Sequence, residues 1–205
     1  MIKKQIEARG ITDEATLNAL RATPRHKFVP QELQSSAYED NPLPIGHGQT
    51  ISQPYIVAYM TEKIGLETHF RVLEIGCGSG YQAAILSHIV KEVFTVEVIP
   101  ELAEEAEVRL QALGYKNIHV KCGDGFYGWL EEAPFDRVIV TAAVEEVPSP
   151  LVEQLKDEGR MIIPVGSPSQ VQRLVLVTKK GDTVQSEDKL AVRFVPFTRE
   201  RDRSI

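Results

Sequence analysis

From Arg71 onward the chain alternates strand-sized apolar runs with helical ones, and few architectures accept that pattern. The strands read RVLEI (71–75), EVFTVEV (92–98), NIHVKCGD (117–124), FDRVIVTAA (135–143) and RMIIPVG (160–166). Between them lie three helical runs. YQAAILSHIV is the first; PELAEEAEVRLQAL is opened by Pro100 and closed by Gly114; SPLVEQLKDEG has Ser149 as cap, Pro150 at its first position and Gly159 at its end. Short, continuously apolar runs belong in strands covered on both faces. Strand–helix–strand succession then implies a mostly parallel sheet with right-handed crossovers, a doubly wound α/β fold. Ahead of it, residues 1–68 read as short helices and loops, with Thr12 capping a helix whose first turn holds Asp13 and Glu14. The Asn41-Pro42-Leu43-Pro44 stretch breaks regularity, and Pro54 opens the helical run YIVAYMTEKIGL. After Gly166, RLVLVTKKGDTVQSEDKL predicts two strands joined by a turn at Lys180-Gly181-Asp182, and VRFVPF predicts one more. The expected layout is one domain over 1–205: a helical N-terminal cover (1–68), an α/β core (69–166) and a β-rich C-terminal extension (167–205).

In such sheets ligands bind beyond the carboxyl ends of the strands, where strand order reverses. Gly76, Gly78 and Gly80 follow the first strand and open its helix, letting backbone N–H groups approach a ligand closely. Glu97 ends the second strand, where a carboxylate can hold ribose hydroxyls. Together these predict a nucleoside-containing ligand. The dinucleotide pattern G-x-G-x-x-G cradles a pyrophosphate. Here the third glycine comes one residue early, as G-C-G-S-G, and Glu74 stands two residues before the first. A carboxylate there would repel a pyrophosphate and attract a cation. S-adenosylmethionine has an α-ammonium, a sulfonium and no phosphate. V-L-E-I-G-C-G-S-G resembles motif I of the class I S-adenosylmethionine-dependent methyltransferases, whose fold is Rossmann-like. By that resemblance Glu97 holds the ribose, and the Gly123-Asp124-Gly125 turn flanks the adenine. A nicotinamide-dependent oxidoreductase is the alternative for this half of the chain.

Charge narrows the partners. The net charge of −6 and pI of about 5.5 disfavour nucleic acid. Apolar runs are too short for a transmembrane helix, and MIKKQIEARG carries charge where a secretory signal would be apolar, so a cytoplasmic protein with no membrane partner is expected. Cys77 and Cys122 lack metal-ligand spacing, so they read as thiols with no catalytic role and no metal is expected.

The stretch GHGQTISQP (46–54) says more about the second substrate. Gln49, Thr50, Ser52 and Gln53 supply hydrogen bonds without formal charge, and His47 is the one possible base, read as a solvated loop residue. No Asn/Asp-Pro-Pro-aromatic run of the base methylases follows the fourth strand, where Thr141-Ala142-Ala143 stands instead, and neither cysteine follows a proline. An amine or hydroxyl acceptor would need a base to take its proton. A carboxylate is ionised at neutral pH and needs only positioning and exclusion of water. The loop therefore suits a carboxylate acceptor; a class I methyltransferase with another small-molecule or RNA acceptor is the alternative, ahead of the oxidoreductase.

Taken in order, G-Q-T-I-S-Q-P, V-L-E-I-G-C-G-S-G-Y-Q-A-A-I-L, G-D-G, A-P-F-D-R-V-I-V-T-A-A, P-V-G and R-F-V-P-F resemble the bacterial protein-L-isoaspartate (D-aspartate) O-methyltransferase family over almost the whole chain. The resemblance implies an active-site serine at Ser52 and a cofactor- and substrate-lining loop at Thr50, Ile51 and Gln53. It puts Glu74 on the acidic cofactor side and brings the V-P-x-T segment ending at Thr198 to the groove shared by peptide and cofactor. Val57 departs from the histidine of animal members, so no role carries over there, and RERDRSI departs from their tails, so none is assigned to Arg203. The implied reaction methylates the free α-carboxylate of isoaspartyl residues in damaged proteins and peptides. The ester then closes to a succinimide, whose hydrolysis returns some normal aspartyl linkage.

Overall fold

The computed structural model describes residues 1–167 and 169–200. Strands β3 (Arg71–Ile75), β4 (Glu92–Glu97), β5 (Ile118–Cys122), β6 (Phe135–Val140), β7 (Leu155–Val165), β8 (Gln172–Lys180) and β9 (Thr183–Val192) form one sheet in the order β5-β4-β3-β6-β7-β8-β9. The first five are parallel, while β8 and β9 add antiparallel at one edge, joined across residues 181 and 182. Helices α1 (Glu14–Ala22), α2 (Pro54–Lys63), α3 (Tyr81–Ser87), α4 (Pro100–Ala112) and α5 (Ser149–Glu153) complete the doubly wound α/β fold that the alternation implies.

Alternation along the strands divides the core between the two faces. Val72, Val93, Ile139 and Ile162 belong to the apolar cluster that also holds residues of α1, α2 and α3. Leu73, Ile75, Phe94, Val96, Val138, Val140, Met161 and Ile163 belong to the other cluster, with Leu151 of α5 and Trp129. Side chains of this size gain about 1.5–3 kcal/mol each on full burial, so the alternation orients every strand. Gly114, in the left-handed region at φ 85°, ends α4 as expected.

Several local expectations yield to tertiary pairing. Asp13 caps α1 through the Thr16 amide, not Thr12, whose own amide donates to Glu62. Helix α3 ends at Ser87, short of the predicted run. Helix α5 ends at Glu153, and the Lys156–Gly159 stretch assigned to it lies instead within β7. The reason is the partner strand: Phe135 N donates to Gln154 O, and Lys156 Nζ reaches Asp136 at 2.7 Å, so pairing with β6 starts as soon as α5 stops. The register jumps there from Phe135↔Leu155 to Arg137↔Arg160, and the surplus residues bulge out. VRFVPF forms no strand beyond Val192. Phe194 N donates to the Gln172 side chain, and the segment then leaves the sheet edge. It crosses the carboxyl ends of the strands, where Ala143 N donates to Val195 O and Phe197 N to Ala143 O.

The loop ahead of α2 is also more regular than its composition suggests. β1 (Leu43–Gly46) and β2 (Gln49–Ile51) form an antiparallel hairpin. Its turn residues, His47 at φ 51° and Gly48 at φ 71°, are both left-handed, which matches the twist of a two-residue hairpin turn.

Candidate active site

The chain leaves β3 toward β4 on one side and leaves β6 toward β7 on the other, so a crevice opens where their carboxyl ends lie side by side. Gly76 and Thr141 face each other across it. The Thr141 hydroxyl donates to Ile75 O (3.0 Å) and Gly76 O (2.7 Å), and a Cβ on Gly76 would collide with Thr141 Oγ1. Gly76, Gly78 and Gly80 all hold positive φ, at 93°, 52° and 83°, so the turn into α3 requires them. Glu97, at the end of β4, is buried, and its carboxylate is held from two sides. Oε2 accepts from Gly78 N at 2.8 Å and Oε1 from Ile99 N at 3.0 Å. Each oxygen keeps a further lone pair for a ligand.

Three hollows meet at this crevice. The first, about 550 Å³ counted to its open mouth, is lined by Gly76, Gly78, Val96, Glu97, Ile99 and Gly125, among others. The second, about 960 Å³ on the same basis, runs past Ser52, Gln53, Ile56 and the chain from Ala191 to Val195. A smaller one between them joins Ile51 and Ser52 to the Gly76–Ser79 loop. Thr50 and Thr141 line all three. The hairpin and the residue after it thus bring Thr50, Ile51 and Ser52 to the glycine loop, whereas Gln53, expected beside the cofactor, lines only the second hollow and bonds to Asp40. His47 sits at the hairpin turn and lines none of the three. Arg193 is the one ionisable side chain lining the second hollow among the described residues.

The segment that fails to become a strand forms the remaining wall. Val195, Pro196, Phe197 and Thr198 line the first hollow, and of these Val195 alone also lines the second. The strap is fastened beyond Thr198: Arg199 Nε lies 2.8 and 2.7 Å from the two Asp124 oxygens, and its guanidinium stacks 3.9 Å over Phe126. Asp124 also accepts from Phe126 N, so its carboxylate turns toward the strap, and it is Gly125 that lines the hollow. Arg203 lies outside the described residues. Sequence reading missed Thr141 and Arg199 as site residues; the alanines after Thr141 and the 75-residue separation of Arg199 from Asp124 leave no local signal.

Glu74 does not line any of the three hollows. Strand alternation sends it to the same face as Val72, completely buried beneath α3, where it accepts from Thr95 Oγ1 at 2.5 Å. Burial raises its pKa to about 8; Thr95 and the Ala83 amide pull down, and Glu97 pushes up. At neutral pH it is mostly a neutral acid, so its charge is not the attraction for a cation that the sequence suggests. Burial likewise pushes the Cys77 thiol well up and leaves it unreactive.

The first hollow offers a fixed carboxylate and the apolar side chains Val96, Ile99 and Phe197, and among the described residues no Lys or Arg lines it. That suits a nucleoside without phosphate, the chemistry of S-adenosylmethionine. A profile of the protein-L-isoaspartate(D-aspartate) O-methyltransferase (PCMT) family matches residues 1–202. The chain is 55% identical over 201 residues to the protein-L-isoaspartate O-methyltransferase of Opitutus terrae, covering 98% of this chain and 86% of the relative. It is 58% identical over 197 residues to the enzyme of that name in a Picosynechococcus species, covering 96% and 88%. A solved protein-L-isoaspartate O-methyltransferase superposes on 95% of the chain with a TM-score of 0.86 at 35% identity, and this chain spans 64% of that longer protein. Profile and relatives agree over nearly the full length, and the chain belongs to the protein-L-isoaspartate(D-aspartate) O-methyltransferase family.

Proposed function

We infer that this chain transfers the methyl group of S-adenosylmethionine to the free α-carboxylate of L-isoaspartyl and D-aspartyl residues in damaged proteins and peptides. The observation that carries this reading is the junction at Thr50 and Thr141, where the hollow over Glu97 and the glycine loop meets a groove lined by neutral side chains and one arginine. Membership of the family sets the nicotinamide alternative aside.

S-adenosylmethionine supplies an electrophilic methyl group when bound. Glu97 would hold its ribose hydroxyls, with Gly78 N and Ile99 N keeping the carboxylate in place. Ser52 Oγ has no hydrogen-bond partner among the described residues, so its proton is available to one oxygen of the acceptor carboxylate. The other oxygen is then aimed across the junction toward the glycine loop. No proton is removed, because the nucleophile is already an anion, and a catalytic base is unnecessary. Positioning of the two reactants in a small shared space supplies the rate enhancement. The methoxide of the ester leaves far more readily than an oxide of the free carboxylate, so after release the neighbouring backbone nitrogen attacks the ester carbonyl, loses its proton and closes a succinimide with loss of methanol. Substrates are unrelated proteins, recognised by local backbone. No helix among the described residues is long and apolar enough to cross a membrane.

The test uses methyl-labelled S-adenosylmethionine and two synthetic peptides that differ only in an aspartyl or isoaspartyl linkage. Base-labile label on the isoaspartyl peptide alone is expected. Equal labelling of both peptides, or of neither, overturns the reading.

A further inference from the structure

Asp40 lies outside every motif of the chain, yet three residues from two distant segments meet on its carboxylate. Oδ1 accepts from Tyr55 N at 3.0 Å; Oδ2 accepts from Gln53 Nε2 at 2.8 Å and from Arg9 Nη1 at 2.7 Å. The Arg9 guanidinium also stacks 3.3 Å over the Tyr55 ring. Tyr55 is in the first turn of α2, and the residue at its N-cap is Gln53, whose side chain makes no capping bond. Asp40 therefore caps α2 from 15 residues away and fixes the point where the Ser52–Gln53 stretch enters the helix.

The same carboxylate decides which way Gln53 faces. A carboxylate only accepts hydrogen bonds, so Gln53 must turn its NH2 end to Asp40. Its carbonyl end, Oε1, has no partner among the described residues, and Gln53 lines the acceptor groove. A carbonyl oxygen cannot hold a carboxylate. It can accept a backbone N–H, a group that every peptide substrate carries whatever its side chains. We infer that Asp40 is a positioning residue that turns the Gln53 carbonyl into the groove, where it accepts a backbone N–H of the bound peptide. The inference rests on the isoaspartyl reading above and divides the work of the loop: Ser52 holds the carboxylate by donating, and Gln53 holds the neighbouring backbone by accepting.

Asp40→Asn tests the idea, because asparagine can still cap α2 through its oxygen while its NH2, in the place of Oδ2, reverses the Gln53 amide and gives up the Arg9 bond, whose loss is read separately by Arg9→Met. KM for an isoaspartyl peptide should rise roughly tenfold, the scale of one hydrogen bond, with kcat and S-adenosylmethionine affinity nearly unchanged. Gln53→Met, which removes the carbonyl on a side chain of similar size, should raise KM by the same factor. The double variant should be no worse than either single one. NMR of the Gln53 side-chain amide should show slow proton exchange in the parent protein and fast exchange in Asp40→Asn. If the amide is held but the parent protein leaves isoaspartyl peptide unmethylated, the reaction assignment fails while the positioning stands. A KM unmoved by Gln53→Met, effects that multiply in the double variant, or an Asp40→Asn loss confined to thermal stability and kcat would each overturn the inference.

Discussion

Replacing Glu97 by alanine should damage the apo protein and the complex separately, and both losses can be worked from the geometry. In the apo protein its two oxygens accept from Gly78 N at 2.8 Å and Ile99 N at 3.0 Å. Hydrogen bonds to a charged group contribute about 1.5–3 kcal/mol each, and relief of the buried charge offsets part, so a net loss of about 3 kcal/mol is expected. For a chain of this size that lowers Tm by roughly 6–12 °C. In the complex, two ribose hydroxyls lose the same acceptor. A further loss of about 3 kcal/mol corresponds to a Kd for S-adenosylmethionine raised roughly a hundredfold. Differential scanning calorimetry of the apo protein reads the first quantity and titration calorimetry below the new Tm reads the second. Glu97→Gln keeps one acceptor oxygen and should fall between. A Kd within threefold of the parent would remove Glu97 from ribose recognition. An unchanged apo Tm would refute its role in bracing the glycine loop.

Ser52→Ala should lower kcat/KM for an isoaspartyl peptide ten- to a hundredfold, on the order of one hydrogen bond to a charged group, while titration calorimetry gives an unchanged S-adenosylmethionine affinity. The parent pH–rate profile should stay flat through the histidine range; a step there would mean that a base takes part. Glu74, raised by burial to about 8, binds its proton more tightly folded than unfolded. The stability it contributes is full below its unfolded pKa, near 4.5, and is lost as pH rises to about 8, so Glu74→Gln should gain stability relative to the parent between pH 5 and 8.5 in urea melts. Arg199→Leu leaves the Asp124 carboxylate without its partner in a setting where both side chains are nearly buried, and should cost about 3 kcal/mol. It should also loosen the strap enough to raise the S-adenosylmethionine Kd severalfold, which the same calorimetry reads.

Much of the site is legible because its signals are short-range. Gly76, Gly78 and Gly80 announce a turn whose backbone needs positive φ, and Glu97 follows at the end of the next strand. Both belong to one β–α–β unit, whose register follows from local period and burial. The Ser52 loop is readable as chemistry, through its neutral composition, but not as a hairpin. His47-Gly48 is a weak turn signal, and a three-residue strand such as β2 shows no period. Glu74 is readable as an acid and not as a direction; its place on β3 decides that it faces α3 and Thr95.

By itself the sequence determines the alternation of elements, the parallel sheet, the glycine turn and the carboxylate at the end of β4. Each rests on residues a few positions apart, where backbone preference and burial act together. Tertiary structure alone decides that Lys156–Gly159 is drawn into β7, because the β6 pairs that flank this bulge, Phe135↔Leu155 and Arg137↔Arg160, outweigh a local preference for helix. It also decides that residues 195–198 cross the crevice, since Ala143 takes up the hydrogen bonds that a further strand would have offered the sheet. Asp40 gains its place from Arg9, Gln53 and Tyr55, and Asp124 turns toward Arg199, 75 residues away. A hydrogen bond between distant segments leaves no period in the chain, so these partners become visible only once the sheet has brought them together.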